Sequence, residues 1–184
     1  MKKILYIPFL ALVALVFVGC TQQKVLNRFV KPESGERYLT GEFEQKTLNQ
    51  KYYASWYEPE YNSYVVETEK LKDVKTAIKK YRIEVFVGTW CSDSQRELPR
   101  LYKILEEIKF PTGSKLKVFG VNRAKVSFYG EEMGKNITHV PTIIIYDKNT
   151  EIGRIVESPV SGYLEEDIAM IVKGTPLTPN YAED

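Results

Sequence analysis

The sequence predicts an α/β domain built on a mixed β-sheet with helices on both faces, preceded by a targeting segment and an N-terminal extension. Three observations carry this. From residue 68 onward, short β-branched apolar runs alternate with longer stretches of helical periodicity. The first two apolar runs are separated by an amphipathic stretch, which implies a parallel βαβ unit with a right-handed crossover. The last two are separated by Asp147, Lys148 and Asn149, which read as the turn of an antiparallel hairpin.

The elements follow in order. Thr68 can cap a helix, with Glu69 in its first turn and Leu71, Val74, Ile78 and Tyr81 at helical spacing. Ile83 to Val87 is short, apolar and β-branched, so it reads as a buried strand, broken by Gly88 and Thr89. Leu98, Leu101, Tyr102, Leu105 and Ile108 line one face of the next helix, which Pro111 and Gly113 close. Leu116 to Val121 is the second strand, and residues 122–139 read as loop with a single helical turn. Thr142 to Tyr146 and Ile152 to Glu157 form the hairpin. Leu164, Ile168, Ile171 and Val172 mark a last amphipathic helix, ended by Gly174 and Pro176.

A length of 184 residues fits one domain with an ordinary core. Apolar residues make up 43% and charged residues 27%, as in globular proteins generally. A formal net charge of +2 gives no electrostatic footprint for nucleic acid. Residues 68–184 are expected to form the domain.

Residues 1–20 read as a targeting segment. Lys2 and Lys3 precede an apolar run from Ile4 to Val18, too short for a comfortable bilayer span of about 20 residues. Phe17-Val18-Gly19-Cys20 looks like a bacterial lipobox, with Phe17 where Leu is usual. That likeness implies a signal peptide, lipid on Cys20, and a protein held to a membrane of the cell envelope, facing the periplasm. An uncleaved anchor, or a secretory signal with an incidental cysteine, are the plainer readings. Residues 21–67 follow as tether and extension. Tyr52, Tyr53, Trp56, Tyr57, Tyr61 and Tyr64 fall within thirteen residues. They either lay rings on the domain surface as an irregular extension or form an aromatic partner-binding surface.

The chain has two cysteines. With Cys20 lipidated, Cys91 is the one thiol of the mature protein, and no internal disulfide can form. Cys91 sits in Trp90-Cys91-Ser92-Asp93-Ser94, where the first strand passes into its helix. A helix start presents free N–H groups and the positive dipole end, which favour the thiolate, the reactive form of a thiol.

That motif, Pro99 within the following helix, and Val140-Pro141-Thr142 opening a later strand together resemble the thioredoxin family, over roughly residues 68–174. The resemblance implies the thioredoxin fold, with Cys91 as nucleophile and Trp90 and Ser94 in the site. It implies a cis bond before Pro141, a Val140 backbone that pairs with bound peptide, and a helix kink at Pro99. Two positions depart from the family. Ser94 replaces the second cysteine, so no internal thiol can resolve a mixed disulfide. Val85 stands where the reductases bury an acid, and alternation puts neighbouring Glu84 on the other sheet face.

The resulting expectation is a membrane-tethered monothiol protein, thiol-disulfide oxidoreductase-like but lacking the resolving cysteine. Its partners would be client-protein thiols or disulfides, low-molecular-weight thiols, and an external reducing or oxidising thiol. The alternative is a non-catalytic binding module that holds extended peptides beside Val140 and Pro141, helped by the aromatic extension. Cys91 is then an inert small hydrophobe in a retired site. A monothiol glutaredoxin-like cluster carrier fits less well, because neither a glutathione site nor a glycine-bearing cysteine motif is evident. Ser94 either steadies a Cys91 thiolate or is a harmless polar residue. Asp93 reads as a solvated first-turn acid. His139 reads as structural, with a base role toward Cys91 as the sharper option. No cofactor is implied, and no ligand spacing suggests zinc.

Overall fold

The computed structural model describes residues 24–183. The apolar leader and Cys20 lie outside them. A small hairpin, β1 (Phe29–Val30) with β2 (Tyr38–Leu39), leads into β3 (Gly41–Glu42) and helix α1 (Lys51–Ser63). After the short helix α2 (Thr68–Leu71) come β4 (Arg82–Val87), α3 (Ser92–Glu107), α4 (Thr112–Lys115) and β5 (Leu116–Gly120). The chain ends with β6 (Thr142–Asp147), β7 (Thr150–Val156) and α5 (Leu164–Lys173). No helix among the described residues is long and apolar enough to cross a membrane.

The sheet runs β3-β5-β4-β6-β7, with β4 and β5 parallel and the other pairs antiparallel. The expected βαβ unit and the hairpin are both present. Parity along the strands divides the molecule. Ile83, Val85, Val87, Val118, Ile143, Ile145 and Ile155 point to one face, where α1, α3 and α5 bury their apolar sides. Phe86, Phe119, Ile144 and Tyr146 point to the other, packed with Val121, Val140, Ile137, Trp90 and Cys91. Much of the cover on this second face is the irregular 121–141 segment rather than a helix, and it reaches the sheet with loop residues such as Val121, Ile137 and Val140.

Residues 41–66 differ from an irregular extension. β3 is an edge strand of the sheet, and α1 packs along α3. Tyr53 and Tyr57, one helical turn apart, are buried, and Tyr57 stacks on Tyr61 at 5.6 Å and meets Tyr102 edge-on at 6.3 Å. The helix therefore buries aromatic rings rather than Leu or Ile. β3 can approach β5 because Gly120 lacks a side chain: a Cβ there would lie 2.3 Å from the Leu39 carbonyl oxygen.

Buried acids fasten the periphery. Asp167 is fully buried and accepts from Val160 N (2.7 Å) and Ser161 N (3.0 Å), fixing the turn before α5. Glu165 accepts from the Tyr64 hydroxyl and Glu67 N, tying the stretch between α1 and α2 to α5. Glu84 lies on the face opposite Val85, as alternation predicts, and pairs with Lys135 (3.0 Å) and Arg82.

Candidate functional site

The site is assembled where β4 hands over to α3. Gly88 ends the strand under the Trp90 ring, which a Cβ at that position would overlap at 2.5 Å. Cys91 is the N-cap of α3, with extended backbone (φ −101°, ψ 128°), and its carbonyl accepts the first helical bond from Gln95 N at 3.0 Å. Its own N–H bonds to the Gly88 carbonyl at 2.8 Å, closing the turn. Cys91 is a free, partly exposed thiol.

The other half of the site comes from the start of β6. The Val140–Pro141 bond is cis, as the resemblance implied. The Cys91 Sγ donates to the Val140 carbonyl at 3.3 Å, so the thiol and the proline loop are in contact. The Thr142 hydroxyl donates to the His139 carbonyl at 2.7 Å and braces the loop. The His139 ring stacks on Tyr181 at 3.8 Å and its Nδ1 is 3.1 Å from the Thr138 hydroxyl, contacts that support the structural role for this residue.

Trp90 is fixed by its indole N–H, which donates to the Val121 carbonyl at 2.9 Å, and by Arg123, whose guanidinium lies 4.7 Å from the ring. The Ser94 hydroxyl accepts from Gly88 N at 3.2 Å and is buried. That bond pins the strand–helix turn instead of reaching the Cys91 sulfur. Asp93 pairs with Arg96 one turn on, at 2.9 Å, on its own helix. Pro99 lies inside α3.

Two residues of the turn carry weight that sequence reading missed. The Thr89 hydroxyl accepts from Leu39 N at 3.1 Å, joining the site to the N-terminal hairpin. The Gln95 amide donates to the Thr89 carbonyl at 2.9 Å across the turn. Gln95 falls one helical turn after Cys91, which was the available signal.

One turn beyond Ser94, Glu97 is buried against Arg96 (2.6 Å) and Arg100 (3.7 Å), and one carboxyl oxygen has no partner. Burial raises its pKa above the ordinary 4.5, outweighing the pull of both guanidiniums. An acid with a raised folded pKa contributes stability that is fully present below its unfolded value and lost as pH rises through its folded value. Thermal melts of Glu97→Gln should therefore show a smaller fall in stability than wild type as pH climbs above about 4.5. A steeper fall in the variant would show that the arginines dominate instead.

Strand end, Trp-Cys, helix N-cap and cis-proline loop come together around the Cys91 sulfur, the arrangement that the thioredoxin resemblance implies. The family model described as Thioredoxin matches residues 37–162, more than half of the chain, and the chain belongs to the thioredoxin family. No curated protein matches it. Similar solved structures include an HIV epitope scaffold, 19% identical with TM-score 0.45, and a protein of unknown function from Pseudomonas aeruginosa, 19% identical with TM-score 0.43. Each alignment covers 66% of this chain and 80% of the other.

Proposed function

We propose that this is an envelope protein held to a membrane by lipid on Cys20, which engages client proteins or small thiols through the single active-site cysteine, Cys91. The observation that carries the reading is the 3.3 Å contact between a partly exposed N-cap thiol and the carbonyl preceding a cis-proline. As thiolate, Cys91 attacks a disulfide RS–SR′. The Cys91–SR bond forms, the S–S bond breaks, and R′S⁻ leaves. The mixed disulfide has no S–H, so the Val140 carbonyl is released and can accept an N–H from the client backbone. Ser94 offers no thiol to expel the client, and Val85 offers no acid to move its proton. An external thiolate R″S⁻ therefore completes the exchange: it attacks the SR sulfur, the Cys91–SR bond breaks, RS–SR″ leaves, and Cys91 returns to the thiolate.

Two experiments test this. The full chain treated with glutathione disulfide should gain one glutathionyl mass, and Cys91→Ala should gain none. Absence of any adduct across the accessible pH range would favour the non-catalytic peptide-binding module. For the anchor, native protein expressed in bacteria should partition into detergent and take up labelled fatty acid. Labelling that survives Cys20→Ala would refute the lipobox reading.

A further inference from the structure

A cleft of about 510 Å³ lies at the turn that carries Cys91, lined by residues of the 31–37 loop, by Tyr52, Tyr53, Ser55 and Trp56 of α1, and by Thr89 and Gln95. That volume falls in the range of small-molecule sites. Thr89 and Gln95 flank Cys91 in sequence and are hydrogen-bonded to each other, so one wall of the cleft is the turn that holds Cys91.

The polar groups of this cleft are incompletely used. Arg37 has its guanidinium between the Phe29 ring (3.8 Å) and the Tyr52 ring (4.2 Å), and its buried Nε has no hydrogen-bond partner. Among the described residues no carboxylate pairs with it. Tyr53 is 2% exposed, and its hydroxyl also lacks a partner. Burial raises the pKa of this phenol, against the opposing pull of Arg37, so it stays protonated and can donate. Lys31 adds a second cation, and Glu36, which is exposed, is the acid on this wall. Buried donors left unpaired are costly. Here two of them, one belonging to a planar guanidinium suited to a carboxylate, line one cleft at the turn that carries Cys91.

We propose that this cleft binds the carboxylate of a small, acidic disulfide that reacts with Cys91, with Arg37 and Tyr53 as the recognition residues. The inference rests on Cys91 being thiol-reactive. In the step it serves, the ligand's S–S bond breaks, a Cys91–S bond forms to the half held by Arg37, and the other half leaves as thiolate.

The test uses three symmetric disulfides: dithiodiglycolate (anionic), hydroxyethyl disulfide (neutral) and cystamine (cationic). The rate of Cys91 adduct formation is read by intact mass, each reagent compared between wild type and variant so that its intrinsic reactivity cancels. Arg37→Gln should slow dithiodiglycolate about tenfold and leave hydroxyethyl disulfide unchanged. Tyr53→Phe should slow dithiodiglycolate several-fold with a melting temperature no lower than wild type, because the buried hydroxyl has no protein partner to lose. A variant that slows all three reagents alike, or none, would overturn the proposal. In parallel, dithiodiglycolate is titrated into Cys91→Ser while following the fluorescence of Trp56. Binding that Arg37→Gln abolishes supports the site even if Cys91 proves unreactive, and saturation unaffected by Arg37→Gln contradicts it.

Discussion

Replacing Ser94 by cysteine should convert a protein that stalls after one exchange into one that turns over. Ser94 is three residues past Cys91, in the first turn of α3, and is almost fully buried beneath the turn. Neighbours at that spacing have Cβ atoms roughly 5–6 Å apart, close to the 3.5–4.5 Å that a disulfide needs. A thiolate at position 94 can attack the Cys91–client bond, forming a disulfide between positions 91 and 94 and expelling the client thiol. Reduction of a protein disulfide by a dithiol donor should rise by about tenfold or more over wild type. The gain stays partial because Val85 is buried where an acid would be needed, and the one acid of β4, Glu84, lies on the opposite face of the sheet. The change also removes the Ser94 hydroxyl from Gly88 N, a loss of about 1 kcal/mol in stability. Wild-type protein that already turns over rapidly would contradict this account, as would an inert Ser94→Cys that still forms the Cys91 adduct.

The largest effect on stability should come from Glu165→Ala. The Glu165 carboxyl is fully buried, accepts from the Tyr64 hydroxyl at 2.8 Å and 3.0 Å, and accepts from Glu67 N at 3.0 Å. Burial and the Glu165 hydrogen bond both raise the Tyr64 pKa, so the phenol remains a donor. Alanine would orphan that hydroxyl and a backbone N–H and leave a cavity at the start of α5. Removing hydrogen bonds to a carboxyl group costs about 1.5–3 kcal/mol each, so a loss of about 3 kcal/mol is expected. For a domain of this size that lowers the melting temperature by about 10 °C. Glu165→Gln keeps an acceptor and should lose less than half as much. A shift under about 2 °C for Glu165→Ala would mean that water replaces the carboxyl without loss.

The parts of the fold around Cys91 were the legible ones. The run Ile83 to Val87 and the residues after it declare a buried strand, a break and a helix start, and the structure puts Cys91 at that N-cap. Val140-Pro141-Thr142 announced the cis-proline loop only through family resemblance, since nothing in local propensity brings residue 140 to residue 91. The edge strand β3 was hidden because two residues carry no alternation, and its place depends on Gly120, 79 positions after Gly41 in sequence. Helix α1 was obscured by its composition: Pro59 and glutamates interrupt it, and its apolar face is made of Tyr and Trp. The loop cover of the second face could not be read either, because 121–141 has no period to detect. Buried acids such as Glu97 and Glu165, and the juxtaposition of Arg37 with Tyr53, arise from packing between distant segments, and composition points to a solvated surface for all of them.

The central claim is that Cys91 forms a mixed disulfide which the protein cannot resolve by itself. Its most direct test is the lifetime of the adduct. Reduced full chain is charged with glutathione disulfide, freed of small molecules, and followed by intact mass at neutral pH. A single glutathionyl adduct, mapped to Cys91, is expected to persist until an external thiol is added and then to disappear, with the glutathionyl group leaving as a mixed disulfide with that thiol. Failure of Cys91 to acquire the adduct, or its spontaneous loss without added thiol, would contradict it.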